Sequence, residues 1–101
     1  MFDENVRQTV KGIKNKSCKN NTQRVCLALL KSRTKWIAKS NMSIPSVTAR
    51  LRDLRKPQFG GFEVECIRAA KLNREGKDTF YRLNPDSVTV DKLNKLFKGV
   101  V

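Results

Sequence analysis

The side chains best suited to chemistry in this chain are arginines and lysines, and most of their excess lies between residues 21 and 60. That stretch contains nine basic residues against Asp53 alone, and it carries +8 of the formal net charge of +13. Guanidinium and ammonium groups bind phosphates, and an arginine can also hold the O6 and N7 atoms of guanine. The charge favours a polyanionic partner, most commonly nucleic acid; a solvated surface kept for solubility is the alternative.

The basic residues are most closely spaced between positions 50 and 56, and a helix predicted over residues 44–56 must position them. Its apolar residues fall within about 80° of one another on the helix: Ile44, Val47, Leu51 and Leu54. Ser43 is the expected N-cap, and Pro45 is tolerated in the first turn. The opposite face has small residues at its start and bases further along, which suits close approach to a groove floor: Pro45, Ser46, Ala49, Arg50, Arg52 and Lys56.

A shorter helix is predicted immediately before it, capped by Thr34 and carrying Trp36, Ile37 and Ala38, with Trp36 in the core. A tight polar turn without glycine would join the two helices. Asn41 is therefore expected to take the left-handed backbone conformation that glycine would otherwise supply. A helix, a short turn and a basic helix together are typical of a DNA-reading helix-turn-helix.

Two further helices are predicted towards the N-terminus. Residues 3–14 place Val6, Val10 and Ile13 at helical spacing, with Asp3 as N-cap. Residues 14–21 are polar and form either a linker or an arm that orders on meeting a partner. Thr22 is the expected cap of an apolar core helix, whose stripe comprises Val25, Cys26, Leu29 and Leu30.

Beyond residue 61 the apolar period changes from 3.6 to 2, which predicts two strands. The first has Phe62, Val64 and Cys66 on one face, and the second, TFYRLN, has Tyr81 and Leu83 on one face. The basic loop that joins them carries Arg74 and Lys77, so the pair is interpreted as a wing. A final helix capped by Thr89 must bury its stripe on its own domain or against a second copy: Val90, Leu93, Leu96 and Phe97.

The segments WIAKSNMSIPSVTARLRDLRK and GFEV…GKDTFYRL resemble the winged helix-turn-helix family, and more narrowly the small helix-turn-helix proteins common in bacteriophage genomes. The resemblance covers residues 22–84. It implies an α+β, mostly α fold with a three-helix core and a two-stranded wing. Residues 1–21 would be an extra helix or basic arm, and residues 85–101 an extra helix and possible dimerisation element. It further implies that helix 44–56 enters the major groove, with the 72–78 wing on the minor groove or backbone.

The predicted DNA-binding residues lie on the basic helix, on the wing and in the segment before the helix. They are Pro45, Ser46, Ala49, Arg50, Arg52, Lys56, Arg74, Lys77, Lys35 and Lys39. Arg50 and Arg52 are the first candidates for base contact. For Arg50 the alternative is an ion pair with Asp53 at i,i+3 spacing. Lys35 and Lys39, like Arg24, are either phosphate contacts or ordinary surface bases.

Enzymatic and metal-dependent functions find little support in the composition. The chain has three cysteines and no histidine, which cannot supply a zinc site of paired ligands. The thiols are instead expected to be buried as small hydrophobic groups, because Cys26 and Cys66 lie in apolar contexts. There is no nucleophile beside a base and no Gly-rich phosphate loop, so neither an enzyme nor a cofactor is predicted.

Three functions remain open at this stage. The first is a transcriptional regulator encoded by a phage or other mobile element, which binds double-stranded DNA as a homodimer through one of its terminal helices. The second is an accessory DNA-binding protein of replication or recombination. The third is a phage protein that binds and inhibits a host protein. With no long apolar run and no signal-peptide pattern, no membrane partner is expected and the predicted location is the bacterial host cytoplasm.

Overall fold

The computed structural model describes residues 2–14, 17–32 and 35–98. Over these residues the chain is an α+β fold, with four α-helices, a three-stranded antiparallel sheet and more residues in helix than in strand. The helices are α1 (Glu4–Lys14), α2 (Asn21–Lys31), α3 (Val47–Leu54) and α4 (Val90–Leu96), and the strands are β1 (Ile37–Ala38), β2 (Val64–Arg68) and β3 (Thr79–Leu83). The prediction of an α+β fold with a helical majority is confirmed.

Helix α1 forms as its sequence predicts. The Asp3 carboxylate accepts a hydrogen bond from the backbone N–H of Val6 at 2.8 Å, and this caps the first turn. Val6, Val10 and Ile13 are buried on one face. The segment 1–21 therefore contains a packed helix, although residues 15 and 16 of the predicted linker lie outside the described residues.

Helix α2 lies at the centre of the core, but it starts earlier than predicted. Asn20, not Thr22, is the N-cap, and its side-chain oxygen accepts from the Gln23 backbone N–H at 2.9 Å. Thr22 lies inside the first turn, where it is buried. The predicted apolar stripe is confirmed, because its four members are all buried and α2 packs against α3 and β3: Val25, Cys26, Leu29 and Leu30.

Helix α4 buries its apolar stripe within its own chain. Thr89 caps it by accepting from the Lys92 N–H at 3.2 Å, as predicted. Leu93, Leu96 and Phe97 are buried, and α4 packs against α1 and against the short 3-10 helix Pro57–Phe59. The open question of what covers this stripe is thus answered: it is covered by the chain's own domain.

A buried side chain joins the two ends of this helical layer. The amide of Gln23 donates from Nε2 to the Leu96 carbonyl at 3.0 Å, and its Oε1 accepts from the Lys19 backbone N–H at 2.7 Å. Gln23 is only 2% exposed, so both bonds are shielded from water. The start of α2 is in this way fixed to the end of α4.

The predicted helix around Trp36, Ile37 and Ala38 is wrong. Residues 37 and 38 form β1, which pairs with β3 through Ile37↔Tyr81 and Ala38↔Phe80, and a single 3-10 turn follows at Lys39–Asn41. An aromatic and a β-branched residue favour extended structure when a partner strand is available. That partner lies more than forty residues away in sequence, so a local pattern does not reveal it. The predicted cap Thr34 lies outside the described residues.

The predicted bounds and turn chemistry of the basic helix also need correction. Helix α3 runs only from Val47 to Leu54, so Ile44 and Pro45 precede it and Lys56 follows it. The N-cap position belongs to Ser46 and not Ser43. Ser46 is in the left-handed conformation with φ 55°, whereas Asn41 is not among the non-glycine residues of positive φ. A left-handed residue reverses the chain sharply just before the helix, and that reversal leaves no room for an earlier start.

The sheet has three strands in the order β1-β3-β2, one more than the predicted two-stranded wing. Residues 69–78 connect β2 to β3 and begin with a 3-10 helix, Ala69–Leu72. The predicted face of β3 is confirmed, because Tyr81 and Leu83 pack on the helical core while Phe80 lies in a second apolar cluster on the other side. None of the described helices is long and apolar enough to cross a membrane.

Candidate nucleic-acid interface

Helix α3 is held by its apolar face and presents the opposite face outward. Val47, Leu51 and Leu54 are buried against the core, as the predicted stripe requires. On the outward side Arg52 is exposed, while Ala49 and Arg50 are half-buried; Lys56, which is also exposed, lies just beyond the end of the helix. The eight residues of α3 span about 12 Å at 1.5 Å per residue. The major groove of B-DNA is about 12 Å wide and admits an α-helix, whose diameter with side chains is about 10–12 Å.

A compact ion-pair cluster lies at the C-terminal end of this outward face. One oxygen of the Asp53 carboxylate lies 3.1 Å from Nη2 of Arg50, and the other lies 3.3 Å from Nζ of Lys56. The Asp53 side chain is only 13% exposed, although its position on α3 points away from the core. The two basic side chains fold over the carboxylate. The i,i+3 pair considered for Arg50 is therefore present.

The start of α3 borders an open cleft of about 490 Å³. Its floor is apolar, with Met42 and Val47 buried and Ile44 half-buried, and two of the predicted binding residues, Lys39 and Ser46, line it. Asp78 lines the same cleft and accepts a hydrogen bond from the Ser40 hydroxyl. This bond joins the end of the 69–78 connection to the turn before α3.

The two predicted wing residues differ in their surroundings. Lys77 is exposed and precedes Asp78, which lines the cleft, but Lys77 itself does not line it. The guanidinium carbon of Arg74 lies 5.0 Å from the centre of the Phe80 ring, in cation–π geometry. Arg74 therefore already has a contact on the outer side of the sheet, and Lys77 is the more available of the two.

The other predicted binding residues lie on the surface before α3. Lys35, Lys39, Pro45 and Ser46 are exposed. Among these, Lys39 and Ser46 share the cleft with Asp78, whereas Lys35 and Pro45 do not line it. The structure thus brings together the start of α3, the turn before it and the end of the 69–78 connection.

Sequence reasoning missed the contacts of Trp36 and Arg82 on the outer side of the sheet. The guanidinium carbon of Arg82 lies 4.3 Å from the Trp36 ring centre, and its Nε donates to the Glu65 carboxylate at 2.7 Å. Trp36 is half-buried and packs on the smaller apolar cluster of Ala38, Ala69 and Phe80. The prediction that Trp36 lies in the core is confirmed only in part, because this cluster is separate from the main core.

Arg55 is a second residue that sequence patterns did not single out. Its Nη2 donates to the Val64 carbonyl at 2.8 Å, so it links the end of α3 to the start of β2. The signal available in the sequence was weak, since Arg55 is simply one more base in a basic helix. Its partner is a backbone carbonyl on another element.

The cysteines divide by environment. Cys26 is buried, and desolvation raises the pKa of its thiol well above the ordinary value. Cys18 is half-buried, and burial also raises the pKa of that thiol. The prediction that Cys66 is buried is wrong: it is exposed, because β2 is an edge strand and the core covers Val64 but not Cys66.

Within the described part of the chain, no group of three or more histidine, cysteine or acidic side chains is arranged to hold a metal ion. Comparisons of this chain with models of protein families, with characterised proteins and with solved structures find no match.

Proposed function

We propose that this protein binds double-stranded DNA as a winged helix-turn-helix, with α3 in the major groove and the 69–78 connection on the minor groove or backbone. In this proposal β1 and the turn Lys39–Asn41 replace the second helix. The protein acts as a transcriptional regulator encoded by a phage or other mobile element.

The observation that carries this proposal is the position of α3 beside the β2–β3 connection. The helix is anchored by one apolar face and offers the other, basic, face to solvent. The Ser40–Asp78 hydrogen bond joins the connection to the Lys39–Asn41 turn, and Lys39 and Asp78 line the cleft that the start of α3 borders. Lys77 is the exposed residue just before Asp78. A duplex bound to α3 would therefore also contact basic side chains on the turn and on the connection, which gives phosphate contacts at two points.

The homodimer is part of the proposal but needs a surface other than the terminal apolar stripes. Those of α1 and α4 are buried within the chain. A regulator of this size reads few base pairs alone, and a two-fold dimer doubles the site.

A salt-dependent binding measurement tests the DNA-binding step. Fluorescence anisotropy of a labelled random-sequence duplex, titrated at salt concentrations from 50 to 200 mM, should show affinity falling steeply with salt. The control is Lys95→Ala, which removes an exposed basic side chain on α4. It should leave the affinity for DNA nearly unchanged. Absent binding at 50 mM salt, or binding insensitive to salt, would overturn the proposal and favour the inhibitor of a host protein.

Selection of bound sequences from a random duplex pool tests specificity and the dimer together. An enriched palindrome supports a dimeric regulator, and the spacing of its halves gives the separation of the two α3 helices. Footprinting then distinguishes the regulatory role from the replication or recombination role: a site overlapping a promoter supports the first, and clustered sites at an origin or attachment site support the second. No enrichment over the starting pool would contradict a sequence-specific regulator.

A further inference from the structure

Asp53 is the only acidic residue between positions 21 and 60, and it lies in the last turn of α3, on the side away from the core. Near a polyanion, an exposed carboxylate at that position is unfavourable, because phosphates repel it. Its surroundings in the protein indicate how it is accommodated. Arg50 and Lys56 each contribute one cation to it, and together they leave it 13% exposed.

In this arrangement two of the cations that could bind phosphate are paired with Asp53. Arg50 and Lys56 are 36% and 49% exposed, so solvent and DNA can still reach them. However, a phosphate that takes either cation must first separate it from Asp53. Arg52, which is also predicted to bind DNA, lies outside the cluster and forms no ion pair with any of the described residues.

The ion pair between Arg50 and Asp53 is weak enough to break and form again. Ion pairs at i,i+3 spacing on an exposed helix face contribute little. The contact joins one nitrogen to one oxygen, and the Nε–H of Arg50 is shielded from solvent without an acceptor among the described residues. A donor left without a partner is unfavourable. A guanine edge offers two acceptors to one guanidinium and, unlike the phosphates, is found only at particular positions of particular sequences.

We propose that Asp53 is a specificity-determining residue, whose ion pairs with Arg50 and Lys56 suppress binding to DNA of arbitrary sequence. This inference rests on the proposed DNA binding through α3. On arbitrary DNA the two cations stay with Asp53 and contribute little. At a preferred site Arg50 turns to a guanine, and the Asp53 oxygen that it leaves accepts a hydrogen bond from an amino group such as N4 of cytosine, while Lys56 stays at the other oxygen.

The variant Asp53→Asn tests this directly, because it removes the charge and keeps the shape of the side chain. It should bind a random-sequence duplex more tightly than the wild type at 50 mM salt. If both cations then reach phosphates, the log–log salt slope steepens by about 1.8. Between 50 and 200 mM salt this corresponds to an additional loss of affinity of about tenfold. The ratio of affinities for the selected sequence and the random duplex should fall.

Two controls separate this effect from a general change in net charge. Asp86→Asn makes the same change at an exposed position outside α3 and should leave slope and affinity ratio nearly unchanged. Adding Arg50→Ala and Lys56→Ala to Asp53→Asn should return the slope to the wild-type value or below. Circular dichroism and thermal melting establish that each variant is folded.

The outcomes distinguish this inference from the proposed function. If the wild type fails to bind DNA, the proposed function itself is wrong. If the wild type binds and selects a sequence, but Asp53→Asn has the same slope and the same affinity ratio, only the role of Asp53 is overturned. A change equal to that of Asp86→Asn would likewise overturn it, since net charge alone would then explain the effect.

Discussion

The Nη2 atom of Arg55 lies 2.8 Å from the carbonyl oxygen of Val64 and donates a hydrogen bond to it. Arg55 follows the last residue of α3, and Val64 is the first residue of β2. The eight residues between them include the 3-10 helix Pro57–Phe59, and the Phe62 N–H donates to the Leu54 carbonyl at 2.8 Å. The orientation of α3 relative to the sheet therefore depends on contacts made just after the helix ends.

Replacing Arg55 by alanine should loosen this junction. Loss of the charged hydrogen bond, which is partly exposed, is expected to lower the free energy of unfolding by about 1 kcal/mol. Chemical denaturation of the two proteins measures the difference. Arg52→Ala removes an equally exposed arginine three residues earlier that does not contact Val64; it is the matched control and should change stability by less than about 0.5 kcal/mol. Equal effects of the two variants would show that the Val64 contact contributes nothing.

The proposed interface predicts different consequences for the loss of two exposed basic residues, Arg52 and Lys77. Arg52→Ala should relax the preference for particular bases, because this arginine lies on the outward face of α3. Lys77→Ala should weaken binding to all sequences alike and reduce the salt slope by about 1, because its proposed contact is a phosphate. Binding of each variant to the selected and to a random duplex measures both effects. If both variants behave like the wild type, the assigned face is wrong.

Gly60 and Gly12 should respond to alanine in opposite ways. Gly60 has φ 108°, and an added Cβ would lie 2.5 Å from Cε2 of the buried Phe62 ring. Gly60→Ala should therefore destabilise the fold by about 2–4 kcal/mol. Gly12 lies within α1 with open space where its Cβ would be, so Gly12→Ala should stabilise by about 0.5–1 kcal/mol. Thermal melting compares them, and similar shifts for both would contradict the environment described for Gly60.

Burial of Cys26 makes stability depend on pH in the alkaline range. Its pKa is raised by desolvation above the ordinary 9.0, so the native state keeps the thiol protonated while the unfolded chain ionises. The stabilisation is complete below pH 9.0, and it should be lost at about 1.4 kcal/mol per pH unit above it.

The measurement for Cys26 is a difference between two proteins, which cancels the titration of the lysines. Denaturation of the wild type and of Cys26→Ala is compared from pH 8 to 10. The advantage of the wild type should shrink as the pH rises. A constant difference across this range would contradict the buried, protonated thiol.

Several elements followed from the sequence because they depend on residues within a few positions of each other. The caps Asp3 and Thr89 satisfy N–H groups three residues away. The apolar stripes of α1, α2 and α4 are buried as their spacing indicates. The Arg50–Asp53 pair also follows from i,i+3 spacing, although the second cation, Lys56, was not anticipated.

The tertiary structure decided the features whose partners are distant in sequence. Trp36 to Ala38 become extended and not helical because β3 offers its edge, and Ser46 and not Asn41 makes the left-handed turn that sets the start of α3. Arg55 finds a backbone carbonyl, and Cys66 lies uncovered on an edge strand. The sequence by itself determined the apolar stripes of the helices and where the positive charge lies, because both follow from local order. Which basic residues remain available for a partner depended also on folding, because the Ser40–Asp78 hydrogen bond and the contact of Arg74 with Phe80 form only when the sheet and the turn are in place.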